Sequence, residues 1–371
     1  MRYTMDNSKT IYPLLLFFLV HSSQTGVGLL NFSTALMQGA EQDSWVVLLL
    51  GGGIYVLVFL MCYYLVSQAP KGDIMSLHRE LFGKALGRLF NCLLYVYFIL
   101  LAVLVLRTYV NVLLIWVFPH TPIWVWCLLL VLASTYMVAG GFRVVTGINF
   151  WGVAIPTFLI FIFFYPFKYS HLAELLPMFN HSLHDYITSL KIAISLFAGV
   201  EIFLVYAPFV AHNKKNKRYA SSAILYSMLL YLLIFIFSVA YFGVDFLRVI
   251  EWPTLKLSKT IQFRLIERFE YIYVFTWLFV IIGPLCLEIW SAARIFRQEF
   301  QTKSKSIIYI SGALVFAICV WIRFPAQLSM LQHFMSQFLM YYDFIYLPFL
   351  FVLCWIRKRW VQKRPQANTT S

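Results

Sequence analysis

Apolar residues run along this chain in long blocks, each closed by a short cluster of charged or proline-containing sequence. A block of about 20 apolar residues crosses about 30 Å of hydrocarbon as an α-helix. The pattern therefore predicts an all-α polytopic membrane protein. Ten spans are expected, at about residues 10–37, 43–66, 89–117, 122–139, 147–166, 188–210, 219–243, 270–296, 305–324 and 337–356. Residues 1–357 form one transmembrane domain on this reading, and the polar residues 358–371 form a disordered cytoplasmic tail. The first block is too long for a signal peptide, carries a polar break and lacks a small-residue cleavage site.

That break, His21 to Gly28 (HSSQTGVG), is what a lipid-facing helix has no reason to contain. Backbone groups freed inside hydrocarbon cost several kcal/mol unless protein or a wet cavity satisfies them. A glycine-containing interruption at membrane depth is thus a candidate ligand site built partly of backbone; a small-residue helix-packing patch is the bland alternative. Thr25, Gly26, Val27 and Gly28 are the expected unwound part. His21 to Gln24 are expected to continue the half-helix towards the cytoplasm, with polar side chains turned to the bundle interior rather than to a ligand. Ten spans also invite a test for two inverted five-helix repeats, about 10–166 and 188–356, in which the first helix of each half is broken. Span six answers with SLFAGVEIFLVYAPF, where Phe197, Ala198, Gly199 and Glu201 make a second candidate break ahead of Pro208. Half-helix ends and freed carbonyls suit a zwitterionic amino acid.

Composition and charge agree. The chain is 61% hydrophobic and 12% charged, against about 25% charged in soluble domains. The net charge of +14 is distributed by topology, not gathered into a nucleic-acid-binding face. With the N-terminus inside, 20 of the 29 Lys and Arg residues fall in cytoplasmic segments, eight fall outside, and Arg107 lies within a span. This asymmetry predicts both termini in the cytoplasm. The six cysteines lie in or beside apolar spans without a CxxC pair, so neither a disulfide framework nor a zinc site is expected. His171, His181 and His184 share an outer loop but match no helical metal-ligand spacing. No metal or cofactor is predicted.

Ionisable residues deep within spans include Arg107 in span three, Glu201 in span six and Glu288 in span eight. Such groups face the bundle interior and find a partner. Arg107 can pair with either acid, and a structural ion pair and a ligand or proton role both remain open. HExxH, GxSxG and Walker motifs are absent, so an enzyme is not expected. Residues 67–88 predict a short amphipathic surface helix with Ile74, Leu77, Leu81 and Phe82 on one face. The outer loop around EWPTLKLS is expected to be ordered and to serve as a lid or a partner surface.

Four stretches resemble one known family. They are TGVGLLNFSTAL, FPHTPIWV, FAGVEIFLVYAPF, and EWPTLKLS followed by LIERFEYIYVFTW. The last is the most specific. Together they resemble the B-subunit family of spore germination receptors, the endospore germination permeases, within the amino acid–polyamine–organocation superfamily. The resemblance covers nearly the whole chain. It departs at Phe32 and Ser33, where members often carry a proline, and at GFRVVTGIN, where Arg143 is displaced. It implies the amino acid transporter fold and a germinant-sensing role in the inner spore membrane. A nutrient, typically an amino acid, would be the ligand, and A and C subunits would be the partners. Gly26, Gly28, Gly199 and Glu201 match motif positions; Arg107 is chosen from the buried-charge argument. An active transporter, proton-coupled through Glu201, is the second expectation.

Overall fold

The computed structural model describes residues 10–159, 161, 164–261 and 269–363. The chain is almost entirely helical. The first half comprises α1 (Leu15–Gln24), α2 (Phe32–Leu36), α3 (Ser44–Gln68), α4 (Ile74–Trp116), α5 (Ile123–Ala139), α6 (Phe142–Leu159) and α7 (Phe164–Phe167). The second comprises α8 (Leu183–Leu196), α9 (Phe203–Tyr206), α10 (Asn216–Phe242), α11 (Val244–Leu247), α12 (Pro253–Lys259), α13 (Phe269–Glu299), α14 (Ser306–Trp321), α15 (Pro325–Tyr341) and α16 (Leu347–Lys363). Among the described residues, six stretches, containing α3, α4, α8 to α9, α10, α13 and α15 to α16, are long and apolar enough to cross a membrane; α1, α5 and α14 are shorter apolar helices. This is a multi-pass membrane protein.

Helix α13 is the pillar of the bundle. It packs against α4, α6, α5 and α14, and its residues Leu285, Cys286, Leu287, Ile289, Ala292 and Ala293 are all fully buried. An apolar helix covered on every side belongs in the centre of a bundle. Helix α10 holds the other flank, against α1 and α3. Near its start the chain pairs with the strand-like segment after α9: Ile11 N–H donates to Phe209 O at 2.8 Å, and Ala211 N–H to Ile11 O at 3.1 Å.

Local chemistry sets several helix ends. Ser182 and Asp185 form a reciprocal capping box at the start of α8. Asp73 caps α4 by accepting from Ser76 N–H at 2.9 Å, and it also takes the Arg294 guanidinium at 3.0 Å. Within α4, residues 74–82 form the expected short helix, separate from span three. At Gly83 (φ 78°, ψ −178°) the backbone leaves the helical region and the chain folds back, so that Gly87 lies against the Arg79 backbone and Asn91 Nδ2 donates to Met75 O at 3.2 Å. Ile74 and Leu77 are buried, as the amphipathic pattern requires. Between α15 and α16 the ladder loosens into a π-turn, Tyr342–Tyr346. The expected tail also starts later, because residues 358–363 belong to α16. Residues 364–371, with Arg2, Lys9, Arg264 and Arg268, lie outside the described residues.

Candidate functional site

The helical backbone stops at Gln24. Thr25 (φ −110°, ψ 120°) and Gly26 (φ −147°, ψ −150°) are extended, and the chain resumes as a single 3-10 turn, Val27–Leu30, before α2. Thr25 closes the end of α1 by donating both its N–H and its hydroxyl to His21 O, at 3.1 and 2.9 Å. A methyl group added to Gly26 would meet nothing within 4 Å, and one on Gly28 only Leu196 at 3.9 Å. This side of the interruption borders open space.

The second interruption follows α8. Phe197 caps the helix, Gly199 takes φ +117°, and a 3-10 turn, Val200–Ile202, leads into α9. The left-handed conformation is one that side chains with a Cβ rarely adopt. Glu201 folds back over this turn. Its Oε2 accepts from Gly199 N–H at 2.8 Å, and its Oε1 accepts from the Tyr97 hydroxyl of α4 at 2.6 Å.

Polar residues at the end of α1 stitch the interruptions together. Gln24 Nε2 donates to Phe197 O at 2.8 Å, and Gln24 Oε1 accepts from Ser227 Oγ of α10 at 2.9 Å. The Tyr231 hydroxyl, one turn on, donates to Gln24 O at 2.8 Å and lies 3.4 Å from Leu196 O. His21 Nδ1 stands 2.8 Å from Ser227 Oγ. Each of these groups would otherwise be a buried polar atom without a partner.

A cavity of about 430 Å³ lies between the two interruptions. Volumes of about 300–1,000 Å³ are usual for small-molecule sites. Thr25, Gly26, Gly28, Ala198, Gly199 and Glu201 all border it. Val27 contributes its backbone to the adjoining turn. The opposite wall comes from Tyr97, Leu104 and Thr108 of α4, Tyr231 of α10, and Pro284 and Glu288 of α13. Trp252, in a left-handed conformation just before α12, reaches the rim, and Thr254 ties α12 to the first interruption by donating to Leu29 O at 3.0 Å.

Two expected site residues stand elsewhere. Arg107 is buried but does not border the cavity; its Nε donates to Ile322 O at 3.1 Å beyond the end of α14. The reason is helical phase. Tyr97, Leu101, Leu104, Val105 and Thr108 share the cavity face of α4, whereas Arg107 lies one turn past Val103, whose carbonyl faces Cys319 of α14. Arg107 is also ten residues, about 15 Å, along the helix from the Tyr97–Glu201 contact. Among the described residues it forms no ion pair with Glu201 or Glu288. Phe197 likewise turns its ring away, against Tyr55 and Tyr231, and offers only its carbonyl, already taken by Gln24.

Sequence reasoning missed Tyr97, Tyr231 and Trp252 as wall residues, and it kept Ser23 and Gln24 out of a cavity they border. It also passed over Asp343. This fully buried carboxylate sits on the π-turn, and its Oδ2 accepts from the Tyr55 hydroxyl at 2.9 Å. An acid inside an apolar run is itself a signal, and MYYDFIYL carried it. The outer-loop His181 lies 3.1 Å from Asp43 and 3.6 Å from Glu41, which joins that loop to the connection before α3.

Residues 10–327 match the family model described as spore germination protein. The spore germination protein GerQB of Bacillus cereus is 32% identical over 343 residues, covering 92% of this chain and 95% of the relative. Among solved structures, a substrate-bound, outward-open Na+-coupled sialic acid symporter aligns with a TM-score of 0.64 at 12% identity, over 91% of this chain and 80% of that one. MhsT in complex with L-phenylalanine aligns with a TM-score of 0.61 at 14% identity, over 97% of this chain and 90% of that one. The chain shares the transporter fold of these structures.

Proposed function

This chain belongs to the spore germination protein family, and on that premise we propose that it is the germinant-sensing membrane subunit of a spore germination receptor. It binds a small nutrient, an amino acid, in the cavity between the two helix interruptions. It passes the binding event to A and C partner subunits. Its place is the inner membrane of the spore, with both termini in the cytoplasm, as the loop charges favour. Two inverted repeats, about 10–166 and 188–356, would give the interruptions their matched positions.

The observation that carries this reading is the 430 Å³ cavity bordered by both interrupted segments. A ligand there touches two segments with different packing, so it can favour one arrangement of them over another. Differential affinity for two states is what a sensor needs. MhsT, of the same fold, is in complex with an amino acid, L-phenylalanine, which supports that ligand class.

Spores carrying this chain as their sole B-type subunit test the reading. They should germinate on at least one amino acid, and the Gly26→Val variant, at equal protein level, should not. Unchanged germination in that variant would favour a scaffold with a vestigial cavity. The fold also favours a second reading, an active amino acid transporter coupled to protons through Glu201. Purified chain in liposomes that accumulates labelled amino acid against a gradient would establish it and sink the pure-sensor reading.

A further inference from the structure

Building on the amino acid reading of the cavity, we propose that Glu288 is the anchor for the ligand's ammonium group. The cavity then selects ligands by their amine rather than by their carboxylate.

The two carboxylates bordering the cavity are not equivalent. Glu201 is engaged at both oxygens, by Gly199 N–H and the Tyr97 hydroxyl. It is part of the frame. Glu288 projects from α13 one turn past Pro284, which lies inside the helix, and both residues border the cavity. It is only 4% exposed, and its Oε2 has no hydrogen-bond partner among the described residues. Both acids border the same cavity.

Among the described residues, no cationic side chain stands against the Glu288 carboxyl. Among the described residues that border the cavity there is no Lys, Arg or His. Arg107, the nearest candidate from the sequence, is held by the Ile322 carbonyl. A buried carboxylate left without a counter-charge costs several kcal/mol. An ammonium ion supplies that charge and three hydrogen-bond donors on one atom. The aromatic side chains of Tyr97, Tyr231, Phe32 and Trp252 surround the same space and are suited to a cation. A ligand carboxylate, by contrast, finds no basic side chain on these walls and meets two acids. An amine lacking a carboxylate therefore satisfies the cavity, and the matching acid lacking the amine does not.

The test uses the full chain purified into lipid nanodiscs. Standard amino acids, their decarboxylated amines and their deaminated acids are titrated, with binding read by calorimetry and by thermal shift. At least one amino acid and its amine are expected to bind, and the corresponding acid is not. Glu288→Gln, which keeps the shape and removes the charge, should weaken both by about 30-fold or more, and Glu288→Asp should recover part of the loss. Equal binding by the deaminated acid, or unchanged affinity in a folded Glu288→Gln protein, overturns the assignment while leaving the cavity's amino acid role intact. If no amino acid, amine or acid binds the wild-type chain, the amino acid reading falls and the anchor with it. Should Glu288→Gln fail to fold, the ligand series on the wild-type protein decides alone.

Discussion

Gly26 and Gly199 each precede a 3-10 turn that interrupts a membrane helix, yet their surroundings are opposite. A methyl group on Gly26 would project into open space, whereas one on Gly199 would overlap the Ser23 carbonyl oxygen. Gly26 is extended, a conformation open to any residue; Gly199 has φ +117°. The first interruption thus provides room, and the second provides a fixed backbone. Glu201 adds to that fixity by bonding its own turn and α4 at once. The same pair of features, a glycine and a broken helix, therefore leaves room in one place and fixes the backbone in the other.

Four substitutions sharpen or break this contrast, in falling order of effect on stability. Gly199→Ala forces both a strained φ and a clash with main chain, and should cost at least about 3 kcal/mol. Thermal unfolding in detergent should show a large loss of melting temperature or no folded protein; a wild-type melting curve would break the comparison. Glu201→Gln offers a donor where Gly199 N–H or Tyr97 needs an acceptor, and should cost about 1–3 kcal/mol by the same assay. Tyr231→Phe removes the hydroxyl that joins the end of α1 to α10, for about 1 kcal/mol. Gly26→Val should change stability by less than about 1 kcal/mol and yet abolish the ligand response. A Gly26→Val protein that melts early would show that the open side of the first interruption is needed for folding.

Helix α4 illustrates a further limit. Its interior charge, Arg107, drew attention because an ionised group in an apolar run demands a partner. The partner is a main-chain carbonyl at the end of α14, not an acid and not a ligand. Tyr97, unremarkable in an aromatic-rich chain, turned out to hold Glu201. One residue announces itself by its cost, the other acts only through where its helix face points.

The broad architecture was legible in the chain itself. Apolar run length, the polar interruption at HSSQTGVG and the acid beside Gly199 are local features, and the bilayer makes them informative because a lone polar group there must be satisfied. The rest depended on the packing of distant segments. Gln24 meets Phe197 and Ser227, Tyr97 meets Glu201, and Trp252 reaches the rim only because helices far apart in sequence lie side by side. Helical phase and neighbour choice decide which side chains border the cavity, and a single helix's pattern does not encode the rotation of its neighbours. The sequence alone determined that the membrane helices are interrupted; tertiary structure decided which interruption opens onto space and which is locked, because that difference lies in the position of one carbonyl oxygen on another helix.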